Sequence, residues 1–208
     1  MNKLILIPIL FGVVIISALF LFSETPSSPT SESIYESGFT FYDVEKIEST
    51  LSLQNISMST PVAITDHTIG QYCIYFDDEI QKNIQYCTTT SILNSDGVSI
   101  GNINMGGTID GPIMALAILD TSDIISSYDE VDFIFQTMIE TLVCTCWDEE
   151  QPGDFESIGA WLNTAKIKYI ESSKITLKSK IDGLAGMNLI LEITSKDDSY
   201  LWTLIILK

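Results

Sequence analysis

The four cysteines are the residues whose type and spacing could do chemistry. Cys73 and Cys87 each end a Gln-Tyr-Cys triplet, whereas Cys144 and Cys146 are separated by a single residue. An even number of cysteines is typical of disulfides when a chain folds in an oxidising compartment. One pairing joins Cys73 to Cys87 and closes a loop of about 15 residues, for which loop entropy gives about 3 kcal/mol of stability. The other joins Cys73 or Cys87 to Cys144 or Cys146.

The apolar pattern favours the second pairing, a cross-link between distant parts of the chain. Cys146 falls on the apolar stripe of a predicted helix and would face the sheet. A symmetric hairpin also places Cys73 opposite Tyr86, so that direct pairing with Cys87 would need a bulge. A bond between Cys144 and Cys146 themselves is expected to be strained.

Thiolate chemistry is the alternative use of these cysteines. Thiolates bind soft ions such as Cu(I) or Zn(II), so a copper or zinc protein, or a redox protein, is the alternative function. On a helix, however, the two sulfurs of a Cys-x-Cys sequence point about 200° apart, and the usual Cys-x-x-Cys spacing is missing. We therefore expect no cofactor and no metal, and the metal ligands of the alternative would be Cys73, Cys87, Cys144 and Cys146.

No other group of residues predicts catalysis. His67 is the only histidine, and no nearby pattern of Ser, Cys or acidic residues completes a triad, so we interpret it as a loop residue. The glycine-rich stretch from Gly97 to Gly111 lacks the Lys-Ser/Thr pair of a phosphate loop. The sequence assigns no catalytic residue and favours a protein that is not an enzyme. Asn55 begins an Asn-Ile-Ser glycosylation sequon, which has meaning only outside the cell.

The beginning of the chain predicts a membrane anchor. The run from Leu4 to Phe22 has no charged residue, and at about 1.5 Å per residue a helix of this length would span about 28 Å. It is too long for the apolar part of a secretory signal. Residues 1–22 are therefore predicted to be an uncleaved anchor, or an uncleaved signal, and not a cleaved signal peptide. Residues 23–37 are rich in Ser, Thr, Pro and Glu and predict a flexible stalk. Because Lys3 marks the cytoplasmic flank, we expect a single-pass protein of the cell membrane with residues 38–208 outside the cytoplasm.

Composition limits the partners. Ten basic residues, all of them Lys, stand against 28 acidic ones, and the formal net charge is −18. This charge excludes nucleic acid as a partner, because no basic excess is present to displace counterions from phosphates. The lack of Arg also removes the usual bidentate contact to phosphate or carboxylate. The expected partners are the membrane, through the N-terminal helix, and an unknown protein or small molecule.

Hydrophobic periodicity predicts the elements that carry these residues. Apolar residues three or four apart predict a short helix around Val44 to Leu51 and a longer one that starts near Ser127 to Asp129 and runs to Cys146. A second long helix follows Pro152-Gly153, capped by Asp154 or Ser157. Alternation or continuous apolar runs predict strands over 61–65, 98–105, 113–119, 175–181, 187–193 and 200–207, and a hairpin of 69–76 with 83–90.

Together these elements predict one α+β domain over residues 38–208. The expected architecture is a largely antiparallel sheet packed by two consecutive amphipathic helices and preceded by one N-terminal transmembrane helix. We expect the domain to act as a membrane-tethered, extracytoplasmic, non-catalytic binding module.

Four segments carry a resemblance to a known group of proteins. They are YCTTTSIL at 86–93, GNINM at 101–105, LVCTCW at 142–147 and YLW at 200–202. These segments resemble parts of small, uncharacterised membrane-anchored proteins of ammonia-oxidising archaea. The resemblance covers much of the outer domain and implies an archaeal cell-surface setting, but it implies no mechanism, because that group has no assigned activity.

Overall fold

The computed structural model describes residues 38–74, 81–172 and 174–208. Within this part of the chain, no helix combines the length and the apolar character needed to cross a bilayer. The predicted anchor and stalk, residues 1–37, lie outside the described residues. Residues 38–208 form one compact unit.

The described part combines a large antiparallel sheet with few helices, which confirms the α+β class. Five α-helices lie wholly within the described residues, α1 to α5 in chain order: Asp43–Leu51, Ile69–Tyr72, Tyr128–Leu142, Trp147–Glu150 and Ile158–Glu171. Short 3-10 helices cover Ser52–Gln54 and Pro152–Asp154. The strands, β1 to β8, are Ser57–Met58, Val62–Ile64, Tyr86–Leu93, Ser99–Thr108, Gly111–Thr121, Thr176–Leu184, Met187–Lys196 and Ser199–Leu207.

The sheet consists of two three-stranded meanders that meet along their last strands. Its order is β1-β3-β4-β5-β8-β7-β6, with β2 also paired to β3, and every pairing is antiparallel. The first meander is β3-β4-β5 and the second is β6-β7-β8. They join where β5 pairs with β8, for example where Ile118 lies opposite Thr203. The last strand of the chain is therefore central, as its continuous apolar character predicted.

One face of the sheet, the helix face, supports the main core. Side chains alternate across a strand, so every second residue points to this face. Its buried side chains include Ile103, Leu119, Leu191 and Trp202, which form one apolar cluster with α1, α3 and α5. The predicted packing of two long helices is thus extended by α1, whose Ile47 is fully buried.

The second long helix begins and packs as its sequence predicts. Ser157 is the N-cap, and its hydroxyl accepts a hydrogen bond from the Ala160 amide at 3.1 Å. Trp161 and Leu162 are completely buried, and the Trp161 indole donates to the Ser179 hydroxyl at 2.7 Å. All three tryptophans, Trp147, Trp161 and Trp202, are core residues with at most 3% of their surface exposed.

The other face, the amide face, carries the alternate residues of the same strands. Asn102 and Asn104 of β4 point to this face together with Leu116 and Ile118 of β5, which lie opposite them in register. A second, smaller apolar cluster lies at one end of this face. Its buried members are Cys73, Ile84, Cys87, Met114, Leu116, Ile205 and Leu207.

Several sequence-based predictions are wrong. In the predicted hairpin of 69–76 with 83–90, the second arm is β3, Tyr86–Leu93, which pairs with β2 and β4. Ile69–Tyr72 forms one helical turn where a strand was predicted. A segment this short, with apolar and polar residues mixed, has no periodicity that distinguishes a helix from a strand. The rest of that predicted strand, Tyr75 and Phe76, lies outside the described residues. Helix α3 ends at Leu142 and does not reach Cys146. Ile175 precedes β6 and is 71% exposed, so it is not part of the half-buried strand face.

Candidate binding cleft

A chain segment that we call the cover, residues 62–74, lies along the edge of the first meander and folds over the amide face. Strand β2 fixes its beginning, because Val62–Ile64 pairs with β3. A disulfide between Cys73 and Cys87 fixes its end, and both cysteines are completely buried. The segment is therefore attached to β3 at both ends, by strand pairing and by a covalent bond.

Gly106 lets the cover approach the sheet closely. A Cβ atom at this position would lie 3.0 Å from both Cys73 Cβ and Ile84 Cγ2, and 3.1 Å from Cys73 Sγ. These distances are shorter than ordinary van der Waals contacts. The missing side chain of Gly106 thus makes room for the disulfide on the amide face.

Two amides link the cover to the sheet. The Asn104 side chain is completely buried, and its Nδ2 donates to the Tyr72 carbonyl at 2.5 Å. Its Oδ1 accepts from Asn102 Nδ2 at 2.6 Å. A buried amide is stable only when its donors and acceptors are paired, so this chain of two hydrogen bonds fixes the orientation of both side chains.

Between the cover and the sheet lies a cleft of about 790 Å³. Its floor is the amide face of β3, β4 and β5, and its wall is the cover. The lining residues are Val62, Ala63, Ile64, Thr65, Asp66, Thr68, Gln71, Tyr72, Thr89, Ser91, Ser99, Ile100, Gly101, Asn102, Asn104, Ile118 and Asp120. This volume falls in the range of small-molecule binding sites.

The cleft is polar and carries no cationic side chain among its lining residues. Among its polar side chains, amides and hydroxyls are the most numerous, and Asp66 and Asp120 are the charged groups. The Thr68 hydroxyl donates to Asp66 Oδ1 at 2.6 Å and the Thr68 amide donates at 2.8 Å. These two hydrogen bonds lower the pKa of Asp66 below its ordinary value, so the rim of the cleft is negative at neutral pH.

The cysteines form disulfides, as predicted, but not with the favoured partners. Cys73 pairs with Cys87, and Cys144 pairs with Cys146. The cross-link is wrong because Cys87 points to the amide face, whereas Ile92 on the same strand points to the helix face, against which Cys144 and Cys146 pack. Residues an odd number of positions apart on a strand lie on opposite faces, so the sheet separates the two pairs.

The bond between Cys144 and Cys146 forms because the helix has already ended. Val143, with φ −111° and ψ −76°, follows the last residue of α3, and Cys146 is the N-cap residue of α4. Cys144 and Cys146 are therefore not held on opposite sides of one helix, and their sulfurs can meet. No Gly or Pro follows Leu142 closely enough to predict this end from the sequence.

The other predicted residues are separate from the cleft. His67 is exposed in the turn before α2, and Asn55 is exposed after the first 3-10 helix with φ 60°. Within residues 38–74, 81–172 and 174–208, no three or more His, Cys, Asp or Glu residues are grouped to hold a metal ion. All four cysteines are in disulfides, so a thiolate site requires their reduction.

Sequence reasoning missed Asn102 and Asn104. The only signal was the alternation of amides with Ile103 and Met105 in β4, which predicts a strand with one polar face. The partner of the amides, the Tyr72 carbonyl, comes from the cover, and no local pattern predicts that contact.

Comparison of the chain with protein-family models, with characterised proteins and with solved structures found no match.

Proposed function

We propose that the chain is a membrane-tethered, extracytoplasmic, non-catalytic binding domain that holds a neutral, polyhydroxylated ligand such as an oligosaccharide. The observation that carries this proposal is the cleft of about 790 Å³, lined by amides and hydroxyls on a rigid sheet. Binding residues placed on strands keep their geometry better than residues on loops.

The floor of the cleft offers hydrogen bonds of both kinds. Asn102 gives one N–H to Asn104, so its second N–H and its carbonyl oxygen can serve a ligand. The hydroxyls of Thr89 and Ser91 lie on the neighbouring strand, opposite Asn104 and Asn102 in register. A ligand hydroxyl both donates and accepts, which matches this mixture of groups.

Apolar surface in the same cleft suits the carbon faces of a sugar ring. Ile118 lies on the floor, and Tyr72, which is 38% exposed, lines the wall. Aromatic and aliphatic surfaces beside fixed polar groups are the usual composition of a small-molecule site.

The charge of the cleft selects against anionic ligands. Asp66 and Asp120 repel carboxylates, sulfates and phosphates, and no Lys among the lining residues compensates for them. The formal net charge of −18 adds to this repulsion and also supports the exclusion of nucleic acid as a partner.

The tether is the second part of the proposal. The uncharged run from Leu4 to Phe22 supports a single span of the cell membrane. The exposed position of Asn55 leaves its sequon accessible to glycosylation, which suits a domain outside the cytoplasm. The resemblance to anchored archaeal surface proteins agrees with this setting.

The test is a binding screen with the full chain in detergent micelles. Neutral and anionic oligosaccharides of equal length are compared by isothermal titration calorimetry. We expect neutral sugars to bind and anionic ones to bind at least tenfold more weakly. Asn102→Ala should weaken the binding of a neutral sugar about tenfold, which corresponds to about 1.4 kcal/mol, close to one hydrogen bond.

The matched control is Asn188→Ala. Asn188 lies on β7 on the same face of the sheet but does not line the cleft, so this change should leave sugar binding unaltered. Equal binding of neutral and anionic sugars, or equal loss in both variants, would contradict the proposal.

A thiolate metal site remains the alternative function, and the same protein tests it. The four cysteines form two disulfides, so copper or zinc should bind only after reduction. Titration of the oxidised and the reduced chain with Zn(II) and Cu(I) decides the point. Stoichiometric binding by the oxidised chain would exclude thiolate ligands.

A further inference from the structure

The two disulfides differ in their access to solvent. Cys73 and Cys87, which join the cover to the sheet, are completely buried, whereas Cys144 and Cys146 are each partly exposed. Thiol–disulfide exchange requires an attacking thiolate to reach one of the sulfurs. Cys144–Cys146 should therefore react with thiols faster than Cys73–Cys87.

The accessible bond lies at the edge of a second cavity. This cavity has a volume of about 340 Å³ and lies between α3 and the start of α5. It is lined by Asp132, Gln136, Glu140, Cys144, Thr145, Trp147, Asp148, Ser157, Ile158 and Gly159. Cys144 is a lining residue and Cys146 is not, so an incoming molecule in this cavity meets Cys144 first.

The segment that carries the bond is held in place on both sides. It follows the end of α3 and precedes α4, whose first residue, Trp147, is 3% exposed. The Trp147 indole donates to the Phe155 carbonyl at 3.1 Å, and its ring centroid lies 5.8 Å from that of Trp161. We therefore expect these contacts to persist when the disulfide opens.

The cavity is acidic. Asp132, Glu140 and Asp148 line it, and no basic residue does. Burial raises the pKa of Asp132, and Lys166, which lies 3.5 Å from the centre of the neighbouring Tyr128 ring, partly offsets its charge. Glu140 and Asp148 are exposed and dominate the field that an approaching thiol meets.

We propose that Cys144–Cys146 is a thiol–disulfide exchange site that reacts with thiols on cationic molecules and discriminates against anionic ones. In the first step the thiolate of the incoming molecule attacks Cys144 Sγ. A new S–S bond forms to Cys144, the bond between Cys144 and Cys146 breaks, and Cys146 leaves as a thiolate that takes a proton from water.

A second thiolate completes the exchange. It attacks the sulfur of the bound incoming molecule and releases it as a disulfide, and Cys144 leaves as a thiolate that takes a proton from water. Two electrons pass from two thiols to the protein disulfide, so the co-reactant is a thiol and the products are its disulfide and a protein dithiol. This activity is independent of the cleft and of the ligand proposed for it.

Three small thiols that differ in charge test the proposal: cysteamine, 2-mercaptoethanol and 2-mercaptoethanesulfonate. The oxidised full chain in detergent micelles is treated with each under native conditions, and rates are divided by the thiolate concentration. We expect the cationic thiol to react at least tenfold faster than the anionic one. The difference should shrink at about 1 M salt, where the screening length is about 3 Å.

Alkylation and peptide mass spectrometry identify the bond that opens. Under native conditions Cys144 and Cys146 should be labelled while Cys73 and Cys87 stay oxidised, and rapid acid quenching should trap the mixed disulfide on Cys144. Reduction of both disulfides at the same rate, or trapping on Cys146, would overturn the proposal.

A charge-neutralised variant separates electrostatic selection from simple exposure. In Glu140→Gln/Asp148→Asn the rate with 2-mercaptoethanesulfonate should rise several-fold and the rate with cysteamine should fall. A matched control replaces the exposed acids Glu149 and Glu150, which do not line the cavity, by Gln. If the control changes the rates as much as the variant does, the cavity does not select the thiol.

Discussion

The two faces of the sheet use the same strands for different purposes. On the helix face, Ile103, Leu191 and Trp202 are buried beneath three helices. On the amide face, the residues between them include Asn102 and Asn104, which pair with each other and with the cover. An apolar layer supplies stability through the area that it removes from water, and it leaves the opposite face available for polar groups in fixed positions. The comparison teaches that substitutions on the helix face should alter stability, whereas exposed polar residues of the amide face can be changed to test the proposed binding.

The largest effect should come from the helix face. Trp161→Ala removes a completely buried indole and leaves the Ser179 hydroxyl without its partner, so the free energy of unfolding should fall by about 3–5 kcal/mol. Ile170→Ala on the same helix, where the side chain is 51% exposed, should change it by less than about 0.5 kcal/mol. Denaturant unfolding measures both. Similar losses in the two variants would mean that α5 does not pack as described.

The next effect compares the two disulfides. The Cys73→Ser/Cys87→Ser variant removes a bond with a sequence separation of 14, and loop entropy gives a loss of about 3 kcal/mol. The Cys144→Ser/Cys146→Ser variant removes a bond with a separation of 2, for which the same relation gives about half as much. Only the first variant should also weaken ligand binding, because Cys73–Cys87 is the one of these two disulfides that attaches the cover. Calorimetric unfolding and sugar titration separate the two results.

A smaller effect should distinguish the two amides. Asn104→Ala removes a completely buried amide and leaves the Tyr72 carbonyl without its side-chain donor, so the free energy of unfolding should fall by about 1–3 kcal/mol. Asn102 is partly exposed. Asn102→Ala leaves Asn104 Oδ1 without its side-chain donor, but Asn104 keeps its hydrogen bond to Tyr72. The free energy of unfolding should therefore fall less than in Asn104→Ala, by about 1 kcal/mol, while ligand binding is reduced. If Asn102→Ala and Asn104→Ala lose the same stability, the two amides stabilise the fold and are not available to bind a ligand.

The smallest effect concerns acid. Burial alone would raise the pKa of Asp43, but hydrogen bonds from Lys46 and from the Thr40 amide and hydroxyl outweigh it and lower the pKa below its ordinary value. Because the folded state binds the proton less tightly than the unfolded state, Asp43 stabilises the fold above its ordinary pKa, and this contribution is lost as pH falls through the lowered value.

The measurement is the urea midpoint between about pH 6 and pH 2, for the native chain and for Asp43→Asn. The variant should be less stable than the native chain at pH 6, and the difference should vanish at the acid end. Asp66 has a lowered pKa too, but it is fully exposed at the rim of the cleft, and Asp66→Asn should leave the acid transition almost unchanged. A constant difference between Asp43→Asn and the native chain at all pH values would contradict this reading.

Local patterns predicted much of the helix face. Two patterns formed by residues close together in the sequence predicted which side chains are buried. They are the alternation in β7 and the spacing of Trp161, Leu162 and Ala165 in α5. Ser157 was one of the two predicted caps, with Asp154, and the structure selects Ser157.

The cleft and the disulfide pairing could not be predicted in this way. The contact of Asn104 with Tyr72 and the choice of partner for Cys87 depend on which face each segment reaches, and this is decided by tertiary packing. The end of α3 at Leu142 also has no sequence signal, although it determines that Cys144 pairs with Cys146.

The pairing of β5 with β8, which unites the two meanders, has a consequence for the order of folding. Each meander is built from neighbouring segments, so its hairpins close with little loss of chain entropy. The joint between them brings together Ile118 and Thr203, which are far apart along the chain. Long-range contacts of this kind form late and slowly. We therefore expect the two meanders to form first and to pair along β5 and β8 afterwards. Before they pair, the edge of β5 is exposed and can pair with β8 of a second copy of the chain.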